Sequence, residues 1–173
     1  MGGATGGVGS LAVAIFRKAG FDVHAISGKP EHSEYLKALG ASEVLGREVL
    51  ATTRPMESTR FGGGLDNVGG PMLSSLLAQT APYGNVASAG MAASHALDAT
   101  VMPFIIRGVS LLGVASAGTA RDIRDEVWRR LAGDWKPASL DAICTREIGL
   151  DGLPEVFRTM LAGESKGRTV VRL

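Results

Sequence analysis

The stretch that decides the fold is Gly2-Gly3-Ala4-Thr5-Gly6-Gly7-Val8-Gly9-Ser10, near the start of the chain. Gly3, Gly6 and Gly9 stand at three-residue spacing within it. A helical apolar periodicity follows directly and ends at Gly20, which predicts a helix after the glycines. The apolar face of that helix is formed by Leu11, Val13, Ala14, Ile15 and Ala19.

A glycine-rich turn that opens a helix is typical of sites that bind a pyrophosphate. The free N–H groups of the helix N-terminus point at the anion, and glycines remove the Cβ atoms that would block close approach of the backbone. A strand normally precedes such a loop, and no apolar strand precedes this one. The spacing therefore favours a dinucleotide-binding loop and leaves a plain turn as the alternative.

A second signal, Ser27-Gly28-Lys29, follows the next predicted strand. The adenosine ribose is read at this distance from the glycine loop, and a site selective for NAD usually places Asp or Glu there. A hydroxyl, a backbone N–H and an ammonium suit a 2′-phosphate instead. The segment predicts NADP over NAD, and a polar turn with a solvated Lys29 is the alternative.

Strand candidates alternate with helix candidates along the rest of the chain, which predicts an α/β fold with parallel strands and right-handed crossovers. The segment 46–63 is predicted to be irregular. Predicted strands cover 21–26, 43–45, 65–69, 84–90, 109–116, 143–150 and 168–173, and predicted helices cover 31–39, 72–81, 102–107, 120–132 and 153–161. The loop 89–95 follows a strand and is expected to line the ligand crevice at the carboxyl edge of the sheet.

Composition excludes several classes of protein. The 173 residues carry a net charge of +1, so no nucleic-acid or anionic-membrane partner is suggested. A single cysteine excludes a disulfide framework. No apolar run approaches the ~20 residues of a membrane span, and residues 1–15 lack the basic region of a signal peptide. A cytoplasmic globular protein is expected.

Competing nucleotide sites do not match the sequence. A P-loop needs Ser or Thr after Gly-Lys, and Pro30 follows Lys29. Short-chain dehydrogenases share the glycine pattern, but they use a Tyr and a Lys four residues apart. The two tyrosines, at positions 35 and 83, are followed at that spacing by Leu and Ala. The active site of that class is therefore absent.

Metal and nucleophile chemistry find no support either. The three histidines, at positions 24, 32 and 95, have no metal-ligand spacing, and no Ser-His-Asp set can be identified. Cys144 lies on an apolar stretch and is interpreted as a core residue. The charges within 121–130 are interpreted as the solvated face of a helix.

Several segments together resemble medium-chain dehydrogenase/reductases of the quinone-oxidoreductase type, and within them the acrylyl-CoA reductase branch. The resemblance covers nearly the whole chain. Its segments are GATGGVGS, SGK, EYLKALGASEVL, DNVGG, TVMPFIIRGVSLLGV and GRTVVRL. It implies a Rossmann-like, mostly parallel sheet with helices on both faces, which here lacks its first strand and the N-terminal GroES-like catalytic domain.

The resemblance also implies a function. The family reduces an activated carbon–carbon double bond with NADPH. Its small-molecule substrate is an enoyl thioester such as acryloyl-CoA, an enone or a quinone. The resemblance also implies a homodimer that works without zinc. Catalytic residues are not assigned. The cofactor-binding residues that it implies are Thr5, Gly6, Gly7 and Val8 for the pyrophosphate, Ser27, Gly28 and Lys29 for the 2′-phosphate, and Asn67, Leu111 and Arg168 along the cofactor. Lys29 stands where relatives often carry Arg. Lysine keeps the positive charge but lacks the planar guanidinium with its paired N–H donors.

The absent parts set further expectations. Residues 1–142 are predicted to form the NADP-binding domain, incomplete at its start, and residues 143–173 a segment that in the family packs with the catalytic domain. The missing first strand would leave unpaired backbone groups on two neighbours, at ~1–3 kcal/mol for each buried group. A nucleotide-binding fragment, or truncated product, without turnover of its own is the alternative function.

Overall fold

The computed structural model describes residues 1–173 as an alternation of helices and strands. Every strand pair is parallel, as the sequence pattern predicts. The strands are β1 (His24–Ile26), β2 (Glu43–Leu45), β3 (Gly64–Asp66), β4 (Asn85–Ser88), β5 (Ser110–Gly113), β6 (Cys144–Ile148) and β7 (Arg168–Val171). The α-helices are α1 (Gly7–Lys18), α2 (Ser33–Ala38), α3 (Gly70–Gln79), α4 (Met102–Arg107), α5 (Arg121–Ala132), α6 (Leu140–Ile143) and α7 (Leu153–Leu161). Short 3-10 helices cover Pro30–His32, Arg47–Leu50, Ser116–Gly118 and Leu150–Gly152.

Residues Met1–Ala4 join two groups of strands. β1 pairs with β2, and β4 lies between β3 and β5. The N–H of Ile26 donates to the Met1 carbonyl at 2.8 Å, the Ala4 N–H donates to the Ile26 carbonyl at 3.2 Å, and the Gly2 N–H donates to the Leu65 carbonyl at 3.0 Å. The expectation of unpaired groups on the flanking strands is therefore wrong at Ile26 and Leu65, because the start of the glycine-rich segment itself fills the gap.

The core has one apolar cluster on each face of the strands. Neighbouring residues of β1 separate between them, since Ala25 belongs to one cluster and Ile26 to the other, as the alternation of side chains along a strand requires. The first cluster holds buried residues of α1 and α2, such as Val13 and Leu36. The second is built mainly on α3, with Leu73, Leu76 and Leu77. Helices thus cover both faces of the sheet.

The segment 46–63 is more regular than predicted. It begins with the 3-10 helix Arg47–Leu50, whose last residue is buried in the second cluster. Leu50 gives this polar stretch an apolar anchor, and a single leucine in a polar window produces no periodicity in the sequence. Phe61, at its end, is also buried there.

Most boundaries shift by a few residues from those predicted. Each strand except β2 is shorter than the predicted run, because only three to five residues of each have a hydrogen-bonded neighbour strand. Helix α3 begins at Gly70 rather than at residue 72, since Gly69 and Gly70 turn the chain with φ of +73° and +61°. The predicted helices 102–107 and 153–161 match α4 and α7.

The last two strands form a separate parallel pair. β6 and β7 pair with each other only, and no residue of either is fully buried. Cys144 begins β6 and is half-buried rather than a core residue as predicted, because this pair is packed on less than one full face. None of the helices combines the length and the apolar character needed to cross a membrane.

Candidate cofactor-binding site

The glycine-rich segment turns tightly into α1. Gly3 has φ of +62°, and the N–H of Gly6 donates to the Gly3 carbonyl at 3.2 Å. A Cβ on Gly9 would overlap that same carbonyl and lie 2.7 Å from the Ala4 Cα, so position 9 admits glycine alone without a shift of backbone. The hydroxyl of Ser10 stabilises the turn by donating to the carbonyls of Ala4 and Thr5, at 3.2 and 3.3 Å.

The N-terminus of α1 is open to an anion. Helix α1 has no side-chain cap and no acidic residue in its first turn. The N–H groups of Gly7, Val8 and Gly9 have no backbone acceptor, since the first helical bond runs from Ser10 to Gly6. Three free donors at the positive end of a twelve-residue helix are a binding site for a phosphate group.

The Ser27–Lys29 corner lies beside this turn. The Ala4 N–H bonds to the last residue of β1, and Ser27 follows directly with its N–H on the Leu45 carbonyl at 2.9 Å. The Ser27 hydroxyl accepts the N–H of Lys29 at 3.0 Å. The fold thus brings the glycine-rich segment and the corner to the same edge of the sheet, about 20 residues apart in the chain.

Residues 162–167, which connect α7 to β7 and are called the strap below, contact both segments. The ammonium of Lys29 donates to the Ser165 carbonyl at 2.5 Å, and the N–H of Gly167 donates to the Thr5 carbonyl at 2.9 Å. Lys29 is therefore not the free surface cation that the alternative interpretation requires. The residues of the strap come from the C-terminal part of the chain and close over both candidate subsites.

Arg168, the first residue of β7 after this strap, lies across Gly7. A Cβ on Gly7 would sit 2.5 Å from Nε and 2.9 Å from Cζ of Arg168. The guanidinium therefore covers the first residue of α1, and it pairs with no carboxylate. A cation without a partner beside a positive helix N-terminus is an arrangement that an anion stabilises.

Asn67 follows β3 at the same edge of the sheet. Its Nδ2 donates to the Gly2 carbonyl at 3.3 Å, and its Oδ1 is buried without a hydrogen-bond partner.

Asp66, the last residue of β3, lies directly before Asn67. Its Oδ2 accepts the N–H of Gly69 at 2.7 Å, while its Oδ1 has no hydrogen-bond partner. Burial raises the pKa of the Asp66 carboxyl, and the Gly69 N–H opposes that rise.

Leu111 lies in β5 and lines a cavity of about 360 Å³ at the carboxyl edge of β4. The loop 89–95 forms one wall, with Gly90, Met91 and His95, and Gly69 forms another. A Cβ on Gly90 would lie 2.7 Å from the Asn67 carbonyl oxygen, so this loop packs directly against the end of β3. The sequence expectation placed this loop in the ligand crevice, and the loop lines a cavity there.

Sequence reasoning missed Arg47. A Cβ on Gly28 would lie 2.5 Å from Nε and 2.7 Å from Cζ of Arg47, so this guanidinium covers Gly28 as Arg168 covers Gly7. Arg47 falls in the segment predicted to be irregular, and no local pattern marks it. Only the parallel pairing of β1 with β2 brings the two strand ends together.

A large second cavity lies away from these residues. It measures about 520 Å³ and is lined mostly by polar residues, with Glu48, Glu57, Arg60 and Gln79 in its wall. The Gln79 amide nitrogen is already bonded to the Val49 carbonyl at 2.7 Å and to the Ser75 hydroxyl at 3.1 Å. The amide nitrogen of Gln79 is therefore not free to bind a ligand, and the cavity contains no residue of the candidate site.

The parallel sheet with helices on both faces, opened by a glycine-rich turn, is a Rossmann-like dinucleotide-binding fold. The model of the zinc-binding dehydrogenase family matches residues 7–133, and the chain belongs to that family. No group of three or more His, Cys, Asp or Glu side chains is placed to hold a metal ion. The residues of this chain thus do not fit a zinc site.

Named relatives are similar to this chain along its whole length. The chain is 43% identical over 173 residues to YhfP of Bacillus subtilis strain 168, named as a quinone oxidoreductase, and covers 52% of it. It is 41% identical over 171 residues to the acrylyl-CoA reductase AcuI of Ruegeria pomeroyi, and again covers 52% of it. These matches confirm the resemblance to the quinone-oxidoreductase type and its acrylyl-CoA reductase branch. The chain spans about half the length of these relatives.

Two crystal structures match closely in shape. The Escherichia coli K-12 protein YhdH, solved with bound NADPH, has a TM-score of 0.93 at 43% identity, with 98% of this chain and 52% of that chain covered. YhfP of Bacillus subtilis, solved with NAD bound, has a TM-score of 0.93 at 42% identity, with 99% and 53% covered. These matches confirm the predicted fold class.

Proposed function

We propose that this chain binds NADP(H) along the edge of the sheet formed by the glycine-rich turn and the Ser27–Lys29 corner. The observation that carries the proposal is the Arg168 guanidinium, which lies unpaired over Gly7 at the open N-terminus of α1. The turn from Thr5 to Val8 would hold the pyrophosphate through free N–H groups. Asn67, with its unpartnered Oδ1, and Leu111, in the cavity wall, would lie along the nicotinamide half.

The choice of NADP over NAD rests on the corner. Ser27 and Lys29 supply a hydroxyl and an ammonium, and none of the residues 27–29 is an Asp or Glu that could accept hydrogen bonds from a bare ribose diol. The solved relatives do not share one cofactor, since the YhdH structure contains NADPH and the YhfP structure contains NAD. The preference of this chain is therefore decided by its own residues.

Lys29→Ala tests the cofactor assignment. We expect the wild-type chain to bind NADPH more tightly than NADH, measured by quenching of intrinsic fluorescence, and the substitution to remove most of that difference. A phosphate–ammonium contact is worth ~1.5–3 kcal/mol, or about tenfold or more in affinity. Equal affinities for both cofactors, unchanged by the substitution, would show that the corner does not read the 2′-phosphate.

We further propose that the chain serves an oxidoreductase that reduces the carbon–carbon double bond of an enoyl thioester such as acryloyl-CoA, or of a related enone or quinone. The names of YhfP and AcuI support this class. Bound NADPH would supply the hydride to the β-carbon, and a proton would go to the α-carbon. The residues of this chain would orient the cofactor, and its cavity beside Leu111 would exclude water from the nicotinamide end.

The domain division and the assembly are also proposals. Residues 1–142 would form the dinucleotide-binding region, and residues 143–173 would pack with a catalytic domain. The exposed apolar side chains of α7, Phe157, Met160 and Leu161, support that packing. Composition favours a cytoplasmic location and the family resemblance a homodimer. Sedimentation equilibrium of the chain would test the homodimer.

Steady-state oxidation of NADPH with acryloyl-CoA tests the activity of the 173-residue chain itself. Saturable turnover supports the reductase. The alternative function is nucleotide binding without turnover, favoured by a match to only half of each relative. Binding of NADPH together with absent turnover would select that alternative for this chain.

A further inference from the structure

Lys166 of the strap lies over the ring of Tyr35. Tyr35 belongs to α2, and its side chain packs against the first core cluster. The ammonium of Lys166 lies 5.2 Å from the centre of that ring, and no carboxylate lies within ion-pair distance of it. Because a cation is attracted to an aromatic face, this contact holds the strap to an element of the core.

Gly167, the next residue, is confined between the same tyrosine and the start of β6. Its φ is +59°, and a Cβ there would overlap the Ile143 carbonyl and lie 3.2 Å from the Tyr35 hydroxyl oxygen. The Thr145 hydroxyl donates to the Lys166 carbonyl at 2.8 Å. The hydroxyl of Tyr35 is buried without a hydrogen-bond partner, so this side chain acts on the strap through its ring and its volume.

The confined residues lie directly before Arg168. The N–H of Gly167 donates to the Thr5 carbonyl at 2.9 Å, and the guanidinium of Arg168 lies over Gly7. Arg168 is itself exposed and pairs with no carboxylate. The position of its guanidinium therefore depends on the backbone that precedes it, which Tyr35 holds in place.

We propose that Tyr35 is a positioning residue, which holds the strap so that Arg168 stays over the pyrophosphate-binding turn. Its ring fixes Lys166, and its buried end fills the space beside Gly167. The effect of Tyr35 reaches the cofactor through Arg168. This inference rests on the proposed cofactor function, and it adds a residue of α2 that lies outside every phosphate-binding segment of the sequence.

Tyr35→Leu and Tyr35→Phe test the role of the ring. With Tyr35→Leu, we expect the affinities for NADPH and NADH to fall by the same factor, about two- to fivefold, because the pyrophosphate is common to both cofactors. Tyr35→Phe keeps the aromatic face and should stay within about twofold of the wild type. Tyr83→Leu is the matched control, because this tyrosine is 84% exposed and lies beside Gly108, and it should change neither affinity.

Arg168→Ala shows whether Tyr35 acts through Arg168. Alone, it should lower both affinities about tenfold or more, since a guanidinium–phosphate contact is lost. Adding Tyr35→Leu to Arg168→Ala should cause no further loss, because the two residues form one coupled unit. Hydrogen exchange in the chain without cofactor is a second readout, and the amides of Gly167 and Arg168 should exchange faster in Tyr35→Leu than in the wild type.

Circular dichroism checks the fold of each variant. If Tyr35→Leu does not fold, Lys166→Met removes the same cation–ring contact from the strap and should reproduce the loss. Lys136→Met, at an exposed lysine without an ion pair, is its control.

The outcomes separate the two proposals. If Tyr35→Leu leaves the affinities unchanged, or lowers them as much in the Arg168→Ala background as in the wild type, Tyr35 is no positioning residue and the cofactor proposal remains. If the wild-type chain binds neither dinucleotide, the cofactor proposal fails and the inference about Tyr35 fails with it.

Discussion

Gly9 packs its Cα directly against the backbone of Gly3 and Ala4, which fixes how the glycine-rich turn enters α1. We predict that Gly9→Ala lowers the free energy of unfolding by about 1–3 kcal/mol, because a backbone contact cannot move aside as a flexible side chain can. Urea denaturation measures this. Gly62→Ala is the matched control, since nothing lies within 4 Å of the new Cβ and φ is not positive. Equal small losses in both variants would contradict the prediction.

Asp66 carries a pH-dependent contribution to stability. Burial raises the pKa of its carboxyl above the ordinary value of 3.8, so the folded chain holds this proton more firmly than the unfolded chain does. The contribution is present at low pH and is lost as the pH rises through the pKa of the folded state.

Asp66→Asn removes this titration and keeps an acceptor for the Gly69 N–H. We predict that the variant gains stability relative to the wild type between pH 4 and pH 7. Urea denaturation at both values gives the difference, and Asp98→Asn, at an exposed position, gives the effect of simply deleting a negative charge. A difference that stays constant with pH, or reverses, would mean that burial does not perturb Asp66.

At the scale of elements, Arg107 ties α4 to the end of α3. Its Nη1 donates to the carbonyls of Ala78 and Thr80, at 2.9 and 3.2 Å, and Nη2 donates to the carbonyl of Glu57. One guanidinium thus binds three carbonyls on two segments that are also joined by the isolated parallel bridge between Phe61 and Thr80. Gly108 ends α4 in the left-handed conformation, with φ of +62°, and aims the chain into β5.

Arg107→Ala should therefore lower the free energy of unfolding by about 2–3 kcal/mol, since three hydrogen bonds from a charged donor are lost. The Ala78 carbonyl still accepts the Glu57 N–H, at 3.0 Å. Arg158→Ala is the control. It breaks only an exposed ion pair with Glu155 on α7 and should cost less than about 1 kcal/mol. Thermal or urea unfolding of the two variants compares them, and similar losses would refute a structural role for Arg107.

Helix α5 confirms the interpretation of the charged run 121–130 as a solvated face. None of its twelve residues is buried. Glu126 pairs with Arg129 and Arg130 at 2.7 Å, and these hydrogen bonds lower the pKa of Glu126 to about 2. Such exposed pairs contribute little to stability, so α5 depends on local helix formation rather than on the core.

At the scale of the whole molecule, stability is unevenly distributed. The strands β1 and β3–β5 are linked through Met1–Ala4 and covered by the two core clusters. The pair β6–β7 has no fully buried residue and depends on contacts such as Gly167 with Thr5. Regions with few buried apolar contacts open at lower free energy than the core.

Native-state hydrogen exchange tests this difference. We predict that the amides of Val170 and Glu147 exchange faster than those of Ile26 and Val86, which lie in the core strands. NADPH should slow exchange in the strap residues 165–167, because these residues contact both candidate subsites. Equal protection across all four strands would contradict the predicted order.

The sequence by itself determined the alternation of strands and helices, the parallel sheet and the two segments of the candidate site. Those features depend on local patterns, namely apolar periodicity, glycine spacing and the residue types of one short turn. It also predicted α4 and α7 closely, because Pro near the start and Gly after the end of α4 mark its boundaries.

The tertiary structure alone decided which distant residues complete the site. Arg47 and Arg168 reach the two glycines from different parts of the chain, and Met1–Ala4 takes the place of a longer strand between β1 and β3. A glycine that leaves room for a distant guanidinium looks the same in sequence as a glycine in any turn. Such contacts arise from the packing of strand ends against one another, which no local pattern of residues encodes.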